Sequence, residues 1–257
     1  MNTNPIVISL SSFGAAEVKR HGQAWFASLT KAAGAGGVEI RSELLTNPDQ
    51  ELPLIAQQCQ GMTTVYSCAE PLFTEAGELN EGALDLAMQR AASIDAVIIK
   101  FSIGGGANAV PSSMQRLADK LQGHTVPVLI ENDQSNAAGS IFQLKRFFRK
   151  ASQCGLNLGM TFDIGNWHWV GECPQIAAVQ FSDRIRYVHT KGVLKQAHRW
   201  IAVPIADSEA PWKTLVDAMP ADCPWAIEFP LVGDDLVDVT AKEIGRLEKI
   251  RGERYVD

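Results

Sequence analysis

Residues 158–163 read LGMTFD, a short apolar run that stops on a carboxylate, and the same pattern recurs on both sides of it. Downstream lie 185–189 (IRYVH) and 225–229 (WAIEF). Upstream lie 127–131 (PVLIE), 96–101 (AVIIKF), 62–67 (MTTVYS), 37–41 (GVEIR) and 5–10 (PIVISL). Amphipathic stretches fill the gaps, such as 81–93 and 140–151. In the second of these, Ile141, Leu144, Phe147, Phe148 and Ala151 share one helical face, with Lys145, Arg146, Arg149 and Lys150 mostly opposite. Near-continuous apolar strands covered by helices imply a parallel sheet buried on both faces. Eight such strands with about eight helices are enough to close an α/β barrel, which uses about 250 residues. An open doubly wound sheet of this length usually has fewer strands. No Pro/Ser-rich linker or charge block divides the chain, and no solenoid period appears beyond the β/α alternation. The expectation is a single-domain (β/α)₈ TIM barrel over residues 1–257.

Composition narrows the function classes. The chain has 257 residues, 46% of them apolar, and a formal charge of −6. With a pI near 5.4, that charge argues against a basic groove for nucleic acid. No apolar run approaches the ~18 residues of a membrane span, and the start, MNTNPIVISL, lacks the basic and apolar regions of a secretory signal. Five scattered cysteines with no CxxC pair read as reduced thiols of a cytoplasmic protein.

Catalytic groups of such a barrel come from the carboxyl ends of its strands. Those positions hold Glu131 on strand five, Asp163 on strand six, His189 on strand seven and Glu228 on strand eight. Taken singly, a strand-end carboxylate is more often a helix cap or surface ion pair, and a lone histidine more often a hydrogen-bonded structural residue. Four in register on consecutive strands form an arc. Three carboxylates crowded there repel one another unless a cation neutralises them. One divalent ion does so, and three oxygens with one imidazole suit Mn²⁺ or Mg²⁺, with Zn²⁺ or Co²⁺ as alternatives.

The strand-end series IEND (130–133), FDIGN (162–166), VHTKG (188–192) and IEFP (227–230), with GGVEIR on strand two, resembles the xylose isomerase-like TIM barrel superfamily. Within it, the series is most similar to the sugar phosphate isomerase/epimerase group of ketose 3-epimerases, hydroxypyruvate isomerases and inosose dehydratases. The resemblance implies that Glu131, Asp163, His189 and Glu228 ligate one metal and that Glu131 and Glu228 form the acid/base pair. It implies a metal-dependent isomerase or epimerase of a small sugar, sugar phosphate or keto-polyol, with dehydration of an inosose or dehydroshikimate-like compound as the alternative. Where the epimerases often carry DxxH on strand six, this chain has Asn166, with His168 two residues on. Substrate contacts are therefore expected from Asn166, His168 and, after strand seven, Lys191 ahead of Arg199 and Lys195. The expected partner is a small carbohydrate; no nucleic acid or membrane is expected, and a homo-oligomer is left open.

Other features are weaker. Gly104, Gly105 and Gly106 follow strand four without a GxGxxG or Walker pattern, which favours a turn over a phosphate cradle. Trp167 and Trp169 bracket His168 and either wall a sugar site or pack beneath the loop. Glu39 and Arg41 close strand two and are expected to pair with neighbours rather than bind a ligand. An endonuclease IV-like enzyme needs extra histidines near 66–68 and 101–104, and neither stretch has one. A barrel retired to sugar sensing would not need an intact ligand set.

Overall fold

The computed structural model describes residues 4–253. Eight parallel strands close a barrel: β1 Ile6–Ser9, β2 Gly37–Arg41, β3 Thr63–Ser67, β4 Ile98–Ser102, β5 Val128–Glu131, β6 Gly159–Asp163, β7 Ile185–Thr190 and β10 Trp225–Ile227. Closure is made by β1, which pairs with β2 through Ile8↔Val38 and with β10 through Val7↔Ala226. Around it run α1 Ala15–His21, α2 Gln23–Ala32, α3 Pro48–Gln58, α4 Glu81–Ser93, α5 Pro111–Leu121, α6 Ile141–Gln153, α7 Pro174–Phe181, α8 Lys213–Asp217 and α9 Leu236–Glu253. Prolines open α3, α5 and α7, where the missing N–H costs nothing. Ser140 caps α6 by accepting from the Gln143 amide, and Leu144, Phe147, Phe148 and Ala151 are buried on its inner face.

Two differences from the sequence reading matter. The eighth barrel strand stops at Ile227, two residues short of the expected 229, because its partner β1 gives way to a 3₁₀ turn at Leu10–Phe13. Glu228 is thus the first residue beyond the strand, although its amide still donates to Thr190 O at 3.2 Å. After β7 the chain forms an antiparallel hairpin, β8 Gly192–Gln196 with β9 Arg199–Val203, where a loop was expected. Ala197 turns it with a φ of 55°.

The barrel interior is layered with the period of two that strands impose. Val7, Val65, Ile98, Leu129, Tyr187 and Ala226 form a closed apolar cluster of their own across the barrel. Two residues further along the same strands stand Ser9, Ser67, Lys100, Glu131, His189 and Glu228. Glu39 and Thr161 join them at the same step beyond Gly37 and Gly159. Val38, Met160 and Val188 are equally buried but belong to the large cluster between sheet and helices.

The glycine turn after β4 is a packing device. A Cβ on Gly104 would lie 2.3 Å from Phe73 O, and one on Gly106 would lie 2.9 Å from the Phe147 ring. Phe147 locks this corner, with its ring 5.7 Å from that of Phe73 and 5.6 Å from that of Phe148. Phe147→Ala should therefore cost about 3–5 kcal/mol in urea unfolding. A loss under about 1 kcal/mol would show that the corner repacks freely.

Candidate metal centre

Parallel register sets Asp163 opposite His189, while Glu131 pairs with Thr161, two residues before Asp163, and His189 with Ala226, two residues before Glu228. Ligand atoms of Glu131, Asp163, His189 and Glu228 all lie within 4.8 Å of one another. His189 Nδ1 faces Glu228 Oε2 at 3.1 Å, Glu131 Oε1 at 3.2 Å and Asp163 Oδ2 at 3.8 Å. Asp163 and His189 are fully buried, while the two glutamates are open to the mouth at 14% and 13% exposure.

The other nitrogen of His189 is held from across the barrel. Nε2 lies 2.8 Å from Glu39 Oε2, which also accepts from Tyr187 Oη at 3.0 Å. With Nε2–H donated to a carboxylate, Nδ1 is the nitrogen left for a ligand bond. Burial alone would raise the Glu39 carboxyl, but His189, Lys100 and Arg41 outweigh it and hold Glu39 well below the carboxylate range. Burial would likewise depress His189, and the surrounding carboxylates, Glu39 foremost, reverse that and push it well up.

The carboxylates already have internal counterions. Lys100 Nζ sits 2.9 Å from Glu131 and 3.2 Å from Glu39; Lys191 Nζ sits 2.8 Å from Asp163 and 2.9 Å from Glu228. Arg41 reaches Glu228 at 2.7 Å, Glu39 at 3.2 Å and Glu43 at 3.0 Å. Glu131 and Glu228 are consequently lowered despite burial, most strongly by Lys100 and Lys191 respectively. Asp163 is the exception: burial, added to by Glu228 and Glu131, outweighs Lys191 and pushes it up to about 6. Crowding of the carboxylates is as expected, but protein cations share the task assigned from the sequence to a metal alone.

The donor set nonetheless fits a divalent ion. Asp163 Oδ1 is used by the amides of Gly165 and Asn166 at 2.8 and 2.9 Å, whereas its buried Oδ2 has no well-aligned hydrogen bond and faces Lys191 Nζ at 2.8 Å and His189 Nδ1 at 3.8 Å. With it, one oxygen each from Glu131 and Glu228 and one imidazole nitrogen of His189 form a set whose members all lie within 4.8 Å of one another.

A cavity of about 550 Å³ opens above the cluster, lined by Arg41, Glu131, Asp133, Gln134, Ser135, Asn166, Lys191 and Glu228. Of the expected substrate contacts, Asn166 and Lys191 line it. Asn166 is also structural: it donates to Asn132 O at 2.8 Å and accepts from Gln134 at 3.1 Å, tying together the loops after β5 and β6. Lys191 runs along Gly165, where a Cβ would lie 2.7 Å from its Cγ. His168 and Arg199 are outside the lining; the His168 ring packs 5.3 Å from that of Trp200, and Arg199 is exposed on the hairpin. Lys195 lies over Trp200. Trp167 is fully buried against Phe162 and Phe181, which makes it a core residue, and Trp169 flanks Lys191 at 5.9 Å. Glu39, Arg41 and Lys100 are the groups the sequence reading left out of the site. Their signal was the period of two, which turns a strand charge toward the barrel axis.

Lys191 and a metal ion contend for the same oxygens of Asp163 and Glu228. Lys191→Met should therefore bind Mn²⁺ about tenfold more tightly than the wild type in calorimetric titration at about pH 8, since a buried repulsion is removed. Weaker binding in the variant would show that Lys191 holds the ligands in place for the ion.

No family model and no curated protein matches the chain. Solved structures do. A xylose isomerase-like TIM barrel/4-hydroxyphenylpyruvate dioxygenase fusion protein aligns over 98% of the chain at a TM-score of 0.72 and 14% identity, and the chain spans only 43% of that fusion. D-allulose 3-epimerase from Methylomonas sp., in complex with D-allulose, aligns over 96% of both chains at a TM-score of 0.70 and 14% identity. IolI protein with a zinc atom aligns over 97% of both chains at a TM-score of 0.67 and 10% identity. The chain has the fold of the xylose isomerase-like TIM barrels.

Proposed function

We propose that the protein is a metal-dependent isomerase or epimerase that moves a proton at the carbon beside the carbonyl of a small sugar, sugar phosphate or keto-polyol. The fold serves many chemistries, so the reading rests on the site. The observation that carries it is the convergence of Glu131, Asp163, His189 and Glu228 beneath an open cavity lined by polar and charged residues. Two structural neighbours accompany it as analogy: the Methylomonas epimerase is seen with a ketose bound, and IolI with a zinc atom.

A divalent ion, Mn²⁺ or Mg²⁺ by this donor set and Zn²⁺ or Co²⁺ as alternatives, would ease loss of a proton next to a carbonyl by drawing charge onto oxygen. The chain's own groups do the rest. Glu131 and Glu228 lie 3.2 and 3.1 Å from His189 Nδ1 and both open to the cavity, so each can face a substrate carbon. Lys100 keeps Glu131 ionised, and Lys191 with Arg41 does so for Glu228, which leaves both able to accept a proton. One removes it and the other returns it, giving epimerisation, or the shift of hydrogen that interconverts aldose and ketose. Gln134, Ser135, Asn166 and Lys191 supply hydrogen-bonding groups at the rim for substrate oxygens. An endonuclease reading lacks support here: β3 and β4 end in serines with no histidine beside them, and the acidic mouth opposes a phosphate backbone.

Incubating the metal-loaded protein with ketoses, hydroxypyruvate and inososes in D₂O tests the proposal. Deuterium should enter the substrate without loss of water. An enone or dione product would instead mark a dehydratase, and no exchange with any compound would remove the enolising chemistry altogether. With saturating metal, Glu131→Gln and Glu228→Gln should each lower kcat by about 10² or more. Turnover near that of the wild type would reduce that glutamate to a ligand.

A further inference from the structure

We propose that the substrate is an uncharged polyhydroxy carbonyl compound, a free ketose or cyclic keto-polyol, and not a sugar phosphate or a hydroxy acid. This rests on the carbohydrate reading above and selects within it. The basis is the charge already built into the mouth. Among the described residues, six carboxylates lie in or against it, Glu39, Glu43, Glu131, Asp133, Asp163 and Glu228, and three cations, Arg41, Lys100 and Lys191. With His189 neutral, as a ligand must be, a divalent ion leaves the mouth with one negative charge in excess. An anionic substrate would enter against that field.

Before an ion binds, none of these three cations is spare. Each touches at least two carboxylates within 3.3 Å: Lys100 has Glu39 and Glu131, Lys191 has Asp163 and Glu228, and Arg41 has Glu39, Glu43 and Glu228. A phosphate or carboxylate is recognised by a free guanidinium or ammonium, or by unpaired backbone amides. The amides of the glycine turn after β4 and of the loop after β6 are used internally. Gly104 N donates to Ser102 Oγ, Gly105 N to Phe73 O and Gly106 N to Ile103 O, while Gly165 N and Asn166 N both donate to Asp163.

The usual phosphate seat of a barrel, in the loops after the seventh and eighth strands, is built differently here. After β7 comes the β8–β9 hairpin, with no helix start at that point. After β10 the chain runs through Asp234 and Asp235, and Asp235 caps its own helix by accepting from Asp238 N at 3.0 Å. What the rim offers instead is neutral: Gln134, Ser135 and Asn166, which match hydroxyl groups in both donor and acceptor roles. Asp133, held by Ser102 Oγ and the Ser135 amide and hydroxyl, adds an acceptor for hydroxyls and a repulsion for anions.

Matched pairs of probes decide the matter. Mn²⁺-loaded protein is titrated calorimetrically with fructose against fructose 6-phosphate and with dihydroxyacetone against hydroxypyruvate, and scyllo-inosose is added as the cyclic neutral compound. Neutral members should bind at least about tenfold more tightly than their charged partners. Asp133→Asn should narrow that gap. Tighter binding of the phosphate or the acid overturns the charge argument while leaving the carbohydrate reading intact, and so does a gap that Asp133→Asn leaves unchanged. Failure of every compound to bind metal-loaded protein overturns the carbohydrate reading, and this inference with it.

Discussion

Glu39 and His189 meet across the barrel axis at 2.8 Å, and the rest of the mouth is arranged around that contact. A buried carboxylate is costly unless it is paired and hydrogen-bonded. Glu39 receives Tyr187 Oη, Ser9 Oγ and His189 Nε2, with Lys100 and Arg41 beside it. The pair therefore fixes the imidazole in orientation and directs Nδ1 toward Glu131, Asp163 and Glu228. It also links the apolar floor of the barrel to its polar top, because Tyr187 belongs to the floor cluster while its hydroxyl reaches Glu39.

The same arrangement explains why so acidic a centre is tolerable in a folded chain. Lys100 and Lys191 are almost wholly buried, which is rare for lysine unless it is paired. Each is held by two carboxylates, and each of those pairs includes a metal-facing residue. Charge is thus partly offset before any ligand enters, and a divalent ion would redistribute these contacts. On the proposed reading, selectivity among compounds entering the cavity would depend on the charge that remains once an ion is bound.

Much of this was legible in the sequence. Short runs such as GVEIR and LGMTFD have the length, apolarity and spacing of buried parallel strands, and the strand-end residues Glu131, Asp163, His189 and Glu228 stand out because charge interrupts apolarity there. Lys100 was harder to see. In AVIIKF it sits one residue before the end of the expected strand, and a single lysine reads equally as outward or inward, since a slip of one residue reverses the face. Lys100 is inward because Ile98, two residues before it, is in the barrel floor. Glu39 bears the same relation to Gly37, but glycine carries no apolar signal. The hairpin 192–203 escaped because its polar tip, KQAHR, masks the pairing of Val193 with Ala202 and Leu194 with Ile201. Long-range pairings of this kind, such as Arg41 with Glu228, leave no trace in local periodicity.

The central claim is that one divalent ion is held by four side chains at the carboxyl end of the barrel. It is tested most directly by metal analysis of purified protein after titration with Mn²⁺, compared with Asp163→Ala, which removes the ligand with the unbonded oxygen. The account requires about one ion per chain in the wild type and a large loss in the variant, with both proteins folded by circular dichroism. Equal metal content in the two would contradict it.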